Sequence, residues 1–508
     1  METIACKGNT QTPMAKITLE TKPGISEHCL AEPDHSSIYT YMTCKHPSLN
    51  FELSTHAANV GYRRSTAQQR ASATVAATHR NRNNASANRD IPASTFPAPL
   101  LLPDDALSID PRCPPQSLRS WLRLKDRNEV TTEKNKIYVA GPPDTDPSVQ
   151  FMQSWSHPQT DDRLVITTPR TEDIINYLTA FYHGLPVKLL PPPKLCFATW
   201  DTAIPKRSKS KSSKSMIPPY IGLNTPTECV RIRARPSPDG VFTAQLNLDD
   251  LLDAAISMLP NDAYAFLLVV EHDLFEHDDD LFICGRAYGG SRVAVISTAR
   301  YHPILDDTER VEREHAWPAS HCELHIQACC ATVTQSSSTR PKKRTKLQND
   351  DADLSKSHLP QPPPDRPTLP MLDALAAHKG LDLSSSPIVL SGLWLGRVCR
   401  TASHELGHCF GIEHCTYYAC IMQGSCSLAE DARQPPYLCP IDLAKTLDAS
   451  GTTAETRYQA LLKFCEQHAD VHLFAAFAAW ISARLARDYP QLASSSANSN
   501  HHPIALRP

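Results

Sequence analysis

The side chains of this chain best placed to do chemistry lie in the stretch H-E-L-G-H-C-F-G-I-E-H, which carries His404, Glu405, His408 and His414. On a helix, residues four apart stack about 6 Å from one another, so His404 and His408 can reach one ion. Glu405 falls on the adjoining face. Gly411 can take a positive φ at no steric cost, so the helix can stop and the chain can turn to deliver His414 as a third ligand. Three protein ligands leave a tetrahedral zinc with an open position, the arrangement of a catalytic rather than a closed structural site. Zinc in such a site lowers the pKa of water from ~15.7 to about 7, and it polarises a scissile carbonyl. Glu405 is then the residue to accept the proton and return it to the departing amine. The expected chemistry is zinc-dependent hydrolysis of a peptide bond. A bare H-E-x-x-H arises by accident in long chains, but a glycine and a third histidine in register make coincidence a poor explanation.

Downstream the chain continues H-C-T-Y-Y-A-C-I-M-Q-G-S-C and, after twelve more residues, C-P-I-D. This stretch resembles the archaemetzincins, zinc peptidases of the metzincin type, whose pattern joins the histidine motif to C-x4-C-x-M and a later C-x-x-C. His404, Glu405, His408, Gly411, His414, Cys415, Cys420, Met422 and Cys439 all match. The resemblance implies a second, structural zinc held by Cys415, Cys420 and Cys439. Its fourth cysteine is replaced here by Asp442. A carboxylate oxygen can bind zinc, so Asp442 is a possible fourth ligand, with Cys426 and Cys409 as substitutes. Three reduced, buried thiols without metal are the plainer alternative. Met422 is implied to lie in a tight turn beneath the catalytic metal as an apolar floor rather than as a ligand.

The elements that must position these residues are legible in part. The fold class expected is α+β: a metzincin-like mixed β-sheet packed on an active-site helix, with a small helical C-terminal part. Val241 to Leu246 alternates as a strand, and Leu251 to Leu259 has helical spacing with Asp249 near its start. Ala265 to Val270 is a continuous apolar run that suits a central strand buried on both faces. Leu281 to Ala287 and Arg292 to Thr298 read as strands joined through Gly289 and Gly290. Pro387 to Cys399 leads into the active-site helix, with Leu393, Val398, Ala402, Leu406 and Phe410 facing the sheet. Thr453 to His468 and His472 to Asp488 read as amphipathic helices.

The chain has 508 residues, of which 43 are proline, and much of that proline gathers with polar residues in stretches unable to bury a core. Residues 1–110 are accordingly expected to be largely disordered, with the peptidase domain spanning 165–490. Flexible insertions are expected at about 204–217 and 334–372, and a disordered tail at 491–508. The insertions contain the basic runs K-R-S-K-S-K-S-S-K from Lys206 and R-P-K-K-R-T-K from Arg340. His272 and Asp273, after the buried run, read either as a substrate edge or, the favoured reading, as a strand-to-loop cap with solvated charge. His501 and His502 read as solvent-exposed.

Net charge is −3 from 51 basic and 54 acidic residues, which gives no global attraction to nucleic acid or a membrane surface. No run of 18 or more apolar residues offers a membrane span, and the first residues lack the apolar core of a secretory signal. The 17 cysteines therefore point to reduced thiols and metal ligation. The expected location is the cytoplasm, with nuclear access open through the basic runs. The expected partner is a peptide or protein substrate, with neither membrane nor nucleic acid. A rival reading, a zinc-stabilised interaction protein without turnover, has no use for Glu405, which is not a ligand. The site offers no indication of endopeptidase against aminopeptidase action.

Overall fold

Eight consecutive buried residues, Ala263–Val270, form the central strand that the apolar run predicts. The computed structural model describes residues 44–76, 92–160, 165–200, 217–336, 369–380 and 386–489. In chain order the strands are β1 (Lys136–Ala140), β2 (Asp144–Thr145), β3 (Val187–Leu189), β4 (Cys196–Thr199), β5 (Tyr220–Asn224) and β6 (Cys229–Pro236). They continue as β7 (Ala244–Asn247), β8 (Ala263–Val270), β9 (Asp273–Phe275), β10 (Gly285–Tyr288) and β11 (Val293–Ser297). The first sheet runs β10-β11-β8-β1-β3, parallel except for the antiparallel edge strand β10. The second runs β2-β4-β5-β6-β7-β9 and is mixed.

Because side chains alternate along a strand, β8 feeds two cores. Ala265, Leu267 and Val269 share one with Val398, Ala402 and Leu406 of the long helix Pro387–Cys409. Phe266, Leu268 and Val270 share the other with Leu251, Leu252 and Ala255 of the helix Leu248–Ser257, and with Phe197, Ile221 and Ile232 of the second sheet. This double burial explains why the run is apolar without alternation. The expected α+β architecture is therefore present, and the helices Ala454–Gln467 and His472–Asp488 follow the metal region as predicted. Among the described residues, no helix is long and apolar enough to cross a membrane.

Two boundaries differ from the composition-based reading. The folded unit does not begin at 165, since β1 lies in the middle of the first sheet between β3 and β8. The region 1–110, expected to be largely disordered, has described residues 44–76 and 92–110 that form short helices such as Thr55–Asn59 and Ala67–Ala73. These residues bury Phe96, Leu101 and Ala57 completely. Phe96 packs edge-on against Tyr437 and Trp480 at 5.4 and 5.5 Å between ring centres. The apolar island F-P-A-P-L-L-L-P at 96–103 carries this burial, diluted in the sequence by the polar residues around it. The basic runs, the remainder of the two insertions within 201–216 and 337–368, and the tail with His501 and His502 lie outside the described residues.

Neither sequence reading of His272 and Asp273 describes what they do, because both are buried rather than solvated or edge-lining. Asp273 pairs with Arg300 at 2.6 Å, with both side chains at zero exposure. His272 Nε2 lies 3.2 Å from the Met152 carbonyl, its ring is edge-on to Phe197, and its Nδ1 is buried without a partner. Burial lowers the His272 pKa to about 4. The unfolded chain, titrating near 6.5, binds the proton first, so the contribution of neutral His272 is complete above about pH 6.5 and is lost as pH falls toward 4. The expected slope from this one group is about 1.4 kcal/mol per pH unit in that window. Denaturation of wild type and His272→Gln between pH 7 and 4 checks this, the variant losing stability less steeply.

Candidate metal centre

The long helix Pro387–Cys409 begins with proline in its first turn and is capped by the Ser386 side chain, which accepts from the Val389 N–H. It ends where Gly411, at φ +73°, turns the chain, and the Gly411 and Ile412 N–H groups close onto the His408 and Gly407 carbonyls. This left-handed C-terminal turn suits a residue without a Cβ. It brings His414 back beside His404 and His408, and the metal-binding atoms of the three lie within 4.8 Å of one another.

The orientation of the rings is set by backbone carbonyls. His404 Nδ1 lies 2.6 Å from the Ile421 oxygen and His408 Nδ1 lies 2.7 Å from the Ile412 oxygen. Each Nδ1 therefore carries the proton and each Nε2 keeps its lone pair. The two Nε2 atoms are 3.0 Å apart. Two lone pairs at that distance repel unless a cation lies between them, so the donor set fits a divalent ion. Burial holds His404 well below its ordinary pKa, His408 at about 4 and His414 at about 3, so all three are neutral near pH 7.

Glu405, next on the helix and outside this donor cluster, is buried. Burial raises its pKa to about 8, against the opposing pull of Arg286. Arg286 belongs to β10 and is ion-paired with Glu276. A Cβ built on Gly285 of the same edge strand would lie 3.4 Å from Glu405 Cγ, so β10 passes directly beside the glutamate. Sequence reading missed Arg286, whose position on the rim strand is the only signal that could have found it.

Met422 lies beneath the histidine helix. A Cβ at Gly407 would come within 2.5 Å of its sulfur, so the absence of a side chain there lets the methionine turn approach. The Cys415 N–H bonds the Met422 carbonyl at 2.6 Å, which closes the loop between His414 and the methionine.

Cys415, Cys420, Cys439 and Asp442 form a second, fully buried group with donor atoms within 4.8 Å of one another. Cys415 and Cys439 sulfurs are 3.6 Å apart, and Asp442 Oδ2 lies 3.4 Å from Cys420 Sγ and 3.3 Å from Cys439 Sγ. These spacings fit a tetrahedron with bonds of about 2.3 Å to sulfur and about 2.0–2.2 Å to oxygen. Cys409 and Cys426 are not members. Although burial alone would raise the Cys415 pKa, S–H donation from Cys420 and Cys439 holds it well down, which favours a thiolate at this position. Cys439 caps the helix Pro440–Ser450, its sulfur accepting from the Asp442 N–H, a position that also favours negative charge. Sequence reading did not anticipate Lys445. Its Nζ lies 2.8 Å from Asp442 Oδ1, buried, and 2.8 Å from Gln116 Oε1. The carboxylate thus turns one oxygen to the sulfurs and the other to a lysine, an option a cysteine lacks. The i, i+3 spacing of Asp442 and Lys445 in the first turns of a helix was the available signal.

The N-terminal layer steadies both groups. Trp121 Nε1 donates to the Phe410 carbonyl at 2.8 Å, Gln116 donates to Gly411 at 3.0 Å, and the Tyr62 hydroxyl donates to Thr416. All three acceptors lie in the turn that returns His414 and Cys415.

The chain is similar in sequence to known proteins. The profile of peptidase family M54 matches residues 389–445. Human archaemetzincin-2 is 23% identical over 377 residues, 74% of this chain and 76% of that protein. The rat archaemetzincin-2 is 43% identical over 77 residues, 15% of this chain and 21% of that one, and human archaemetzincin-1 is 25% identical over 234 residues, 46% and 36%. Among solved structures, the archaemetzincin of Archaeoglobus fulgidus complexed with malonate aligns over 61% of this chain and 99% of its own. Its TM-score is 0.26 and its identity 15%. The protein is a zinc metallopeptidase, acting on peptide or protein substrates. Within that class it is similar to the archaemetzincins, and its residues 389–445 match the profile of peptidase family M54.

Proposed function

We propose that His404, His408 and His414 hold the catalytic zinc and that Glu405 is the general base of peptide-bond hydrolysis. The observation that carries this reading is the pair of Nε2 lone pairs 3.0 Å apart, each fixed by a carbonyl behind it, with a buried carboxyl one residue along that is not part of the donor set. Zinc bound by these nitrogens supplies Lewis acidity, making water acidic near neutral pH and drawing electron density from a carbonyl. Glu405 takes the proton from the attacking water and later hands it to the leaving amine. Burial raises the proton affinity of this carboxyl and a zinc ion beside it would lower it again, so that Glu405 can both take and return a proton near neutral pH. Met422 forms the apolar floor, keeping the imidazoles in place without ligating.

Cys415, Cys420, Cys439 and Asp442 are proposed to hold a second, structural zinc. All four positions carry protein ligands, which leaves no vacancy for substrate. The peptidase unit is proposed to start near residue 44 rather than 165, because the N-terminal layer bonds to the turn that carries His414. A reducing compartment, cytoplasmic or nuclear, suits a site built on thiolates.

The test is cleavage of a peptide library by full-length protein, read by mass spectrometry. A zinc chelator is expected to abolish cleavage and added zinc to restore it. Cleavage indifferent to the chelator, or none in zinc-loaded protein, would contradict the proposal.

A further inference from the structure

We propose that Cys44, His46, His315 and Cys322 form a separate zinc site that fastens the N-terminal segment to the body of the protein. It is independent of the peptidase reading. Their four donor atoms lie within 4.8 Å of one another. The two cysteines are 278 positions apart in sequence, yet their sulfurs are 3.7 Å apart. That is close to the edge of a tetrahedron with metal–sulfur bonds of about 2.3 Å, and well beyond a disulfide bond of about 2.05 Å.

The two imidazoles are set up as ligands. His46 Nε2 meets the Glu314 carbonyl at 2.9 Å, while its Nδ1 is buried and without a partner. His315 Nδ1 meets Glu312 Oε2 at 2.8 Å, while its Nε2 is buried and without a partner. Each ring thus donates one N–H outward to an oxygen, which fixes the tautomer and leaves the other nitrogen with a bare lone pair. This is the carbonyl–histidine or carboxylate–histidine arrangement that supports metal ligands. A buried acceptor with no donor is costly, and two of them beside two thiols have no common explanation in hydrogen bonding. A zinc ion uses all four, and two thiolates neutralise its charge.

An overlapping trio, Glu312, His315 and His325, shares one residue with this site but offers a weaker donor set. Its carboxylate side chain is 62% exposed and already meets the outward nitrogen of His315. The Cys2His2 set is soft, closed and four-coordinate, which points to a structural zinc.

The backbone around the site explains what the ion would hold. The Asn50 N–H bonds the His321 carbonyl at 2.8 Å, the Glu323 N–H bonds Ser48 at 3.1 Å, and Leu49 bridges to Cys322. The segment from 44 to 50 therefore runs along 321–323, and zinc would pin it at Cys44 and His46. Further along, the same segment reaches Tyr62 and its bond to Thr416, so the pin steadies a layer that touches the histidine turn.

The experiment uses full-length protein isolated under reducing conditions and loaded with zinc. Zinc per chain is measured for wild type, Cys44→Ser, His46→Ala and His408→Ala. Cys44→Ser and His46→Ala are each expected to lose one equivalent and to keep the equivalent that His408→Ala loses. In parallel, wild type is labelled with N-ethylmaleimide and mapped by mass spectrometry, which needs no variant to fold. Cys44 and Cys322 are expected to label together, at least about tenfold more slowly with zinc than after chelation. Unchanged zinc content in properly folded Cys44→Ser and His46→Ala would overturn the proposal. So would labelling of Cys44 and Cys322 that ignores zinc, or a Cys44–Cys322 disulfide in the zinc-loaded protein.

Discussion

Glu405→Gln is expected to lower the rate of peptide cleavage by about 10²–10⁴-fold, the usual span for loss of a general acid–base group. Zinc content should be unchanged, because the His404 and His408 imidazoles are oriented by the Ile421 and Ile412 carbonyls and not by the glutamate. The amide preserves the shape of the carboxyl, so the helix should keep its stability. It cannot accept and return a proton. Single-turnover cleavage beside metal analysis separates the two effects. A variant that loses zinc along with activity would assign Glu405 a ligand-supporting role. A variant that keeps full activity would remove it from the chemistry.

Arg300→Met is expected to destabilise the fold by about 3–5 kcal/mol, the range for removing one partner of a buried ion pair. Arg300 has no exposed side-chain surface and pairs with Asp273 at 2.6 Å and Asp239 at 2.7 Å, with Glu309 at 3.3 Å. It also lies over the Phe282 ring, 4.2 Å from its centre. Without the guanidinium, Asp273 is left buried with an uncompensated charge; burial already raises its pKa even with Arg300 present. The arginine joins β9 to the turn following β11, and so holds one end of the first sheet to the second. Urea denaturation followed by tryptophan fluorescence measures the loss. Asp273→Asn, which removes the charge that needs compensation and keeps a hydrogen-bonding side chain, should cost less than Arg300→Met. Equal, small losses for both would show that the network contributes little.

The histidine cluster was legible because its residues are local: a helix, a glycine turn and a third histidine all fall within eleven positions. The central strand and β11 were legible for the same reason, since burial on both faces writes itself as an unbroken apolar run, whereas β10 was read at Leu281 to Ala287 and lies at Gly285–Tyr288. The second sheet was legible only at β7, read as Val241 to Leu246 and present as Ala244–Asn247. Its strand β6 reads C-V-R-I-R-A-R-P, with Ile232 facing the core between Arg231 and Arg233, and such a strand is mostly charged to the eye. Its partner β5 supplies Ile221 opposite Ile232, a pairing that only the fold reveals. The N-terminal layer was hidden by dilution: Phe96 and Leu101 are core residues, but the polar stretches on either side dominate the composition. The Cys44–His46–His315–Cys322 group depends on contacts between remote segments, for which no spacing rule exists. The replacement of a cysteine by Asp442 was visible in the sequence, whereas its physical basis, a buried lysine on the far oxygen, was not.

The most direct test of the central claim is anomalous diffraction from crystals of the zinc-loaded protein, with data on both sides of the zinc absorption edge. The account predicts an edge-dependent peak about 2.0–2.1 Å from one nitrogen each of His404, His408 and His414, with Glu405 outside bonding distance. No peak among the three histidines in crystals that hold zinc elsewhere would contradict it, as would a peak bonded to Glu405.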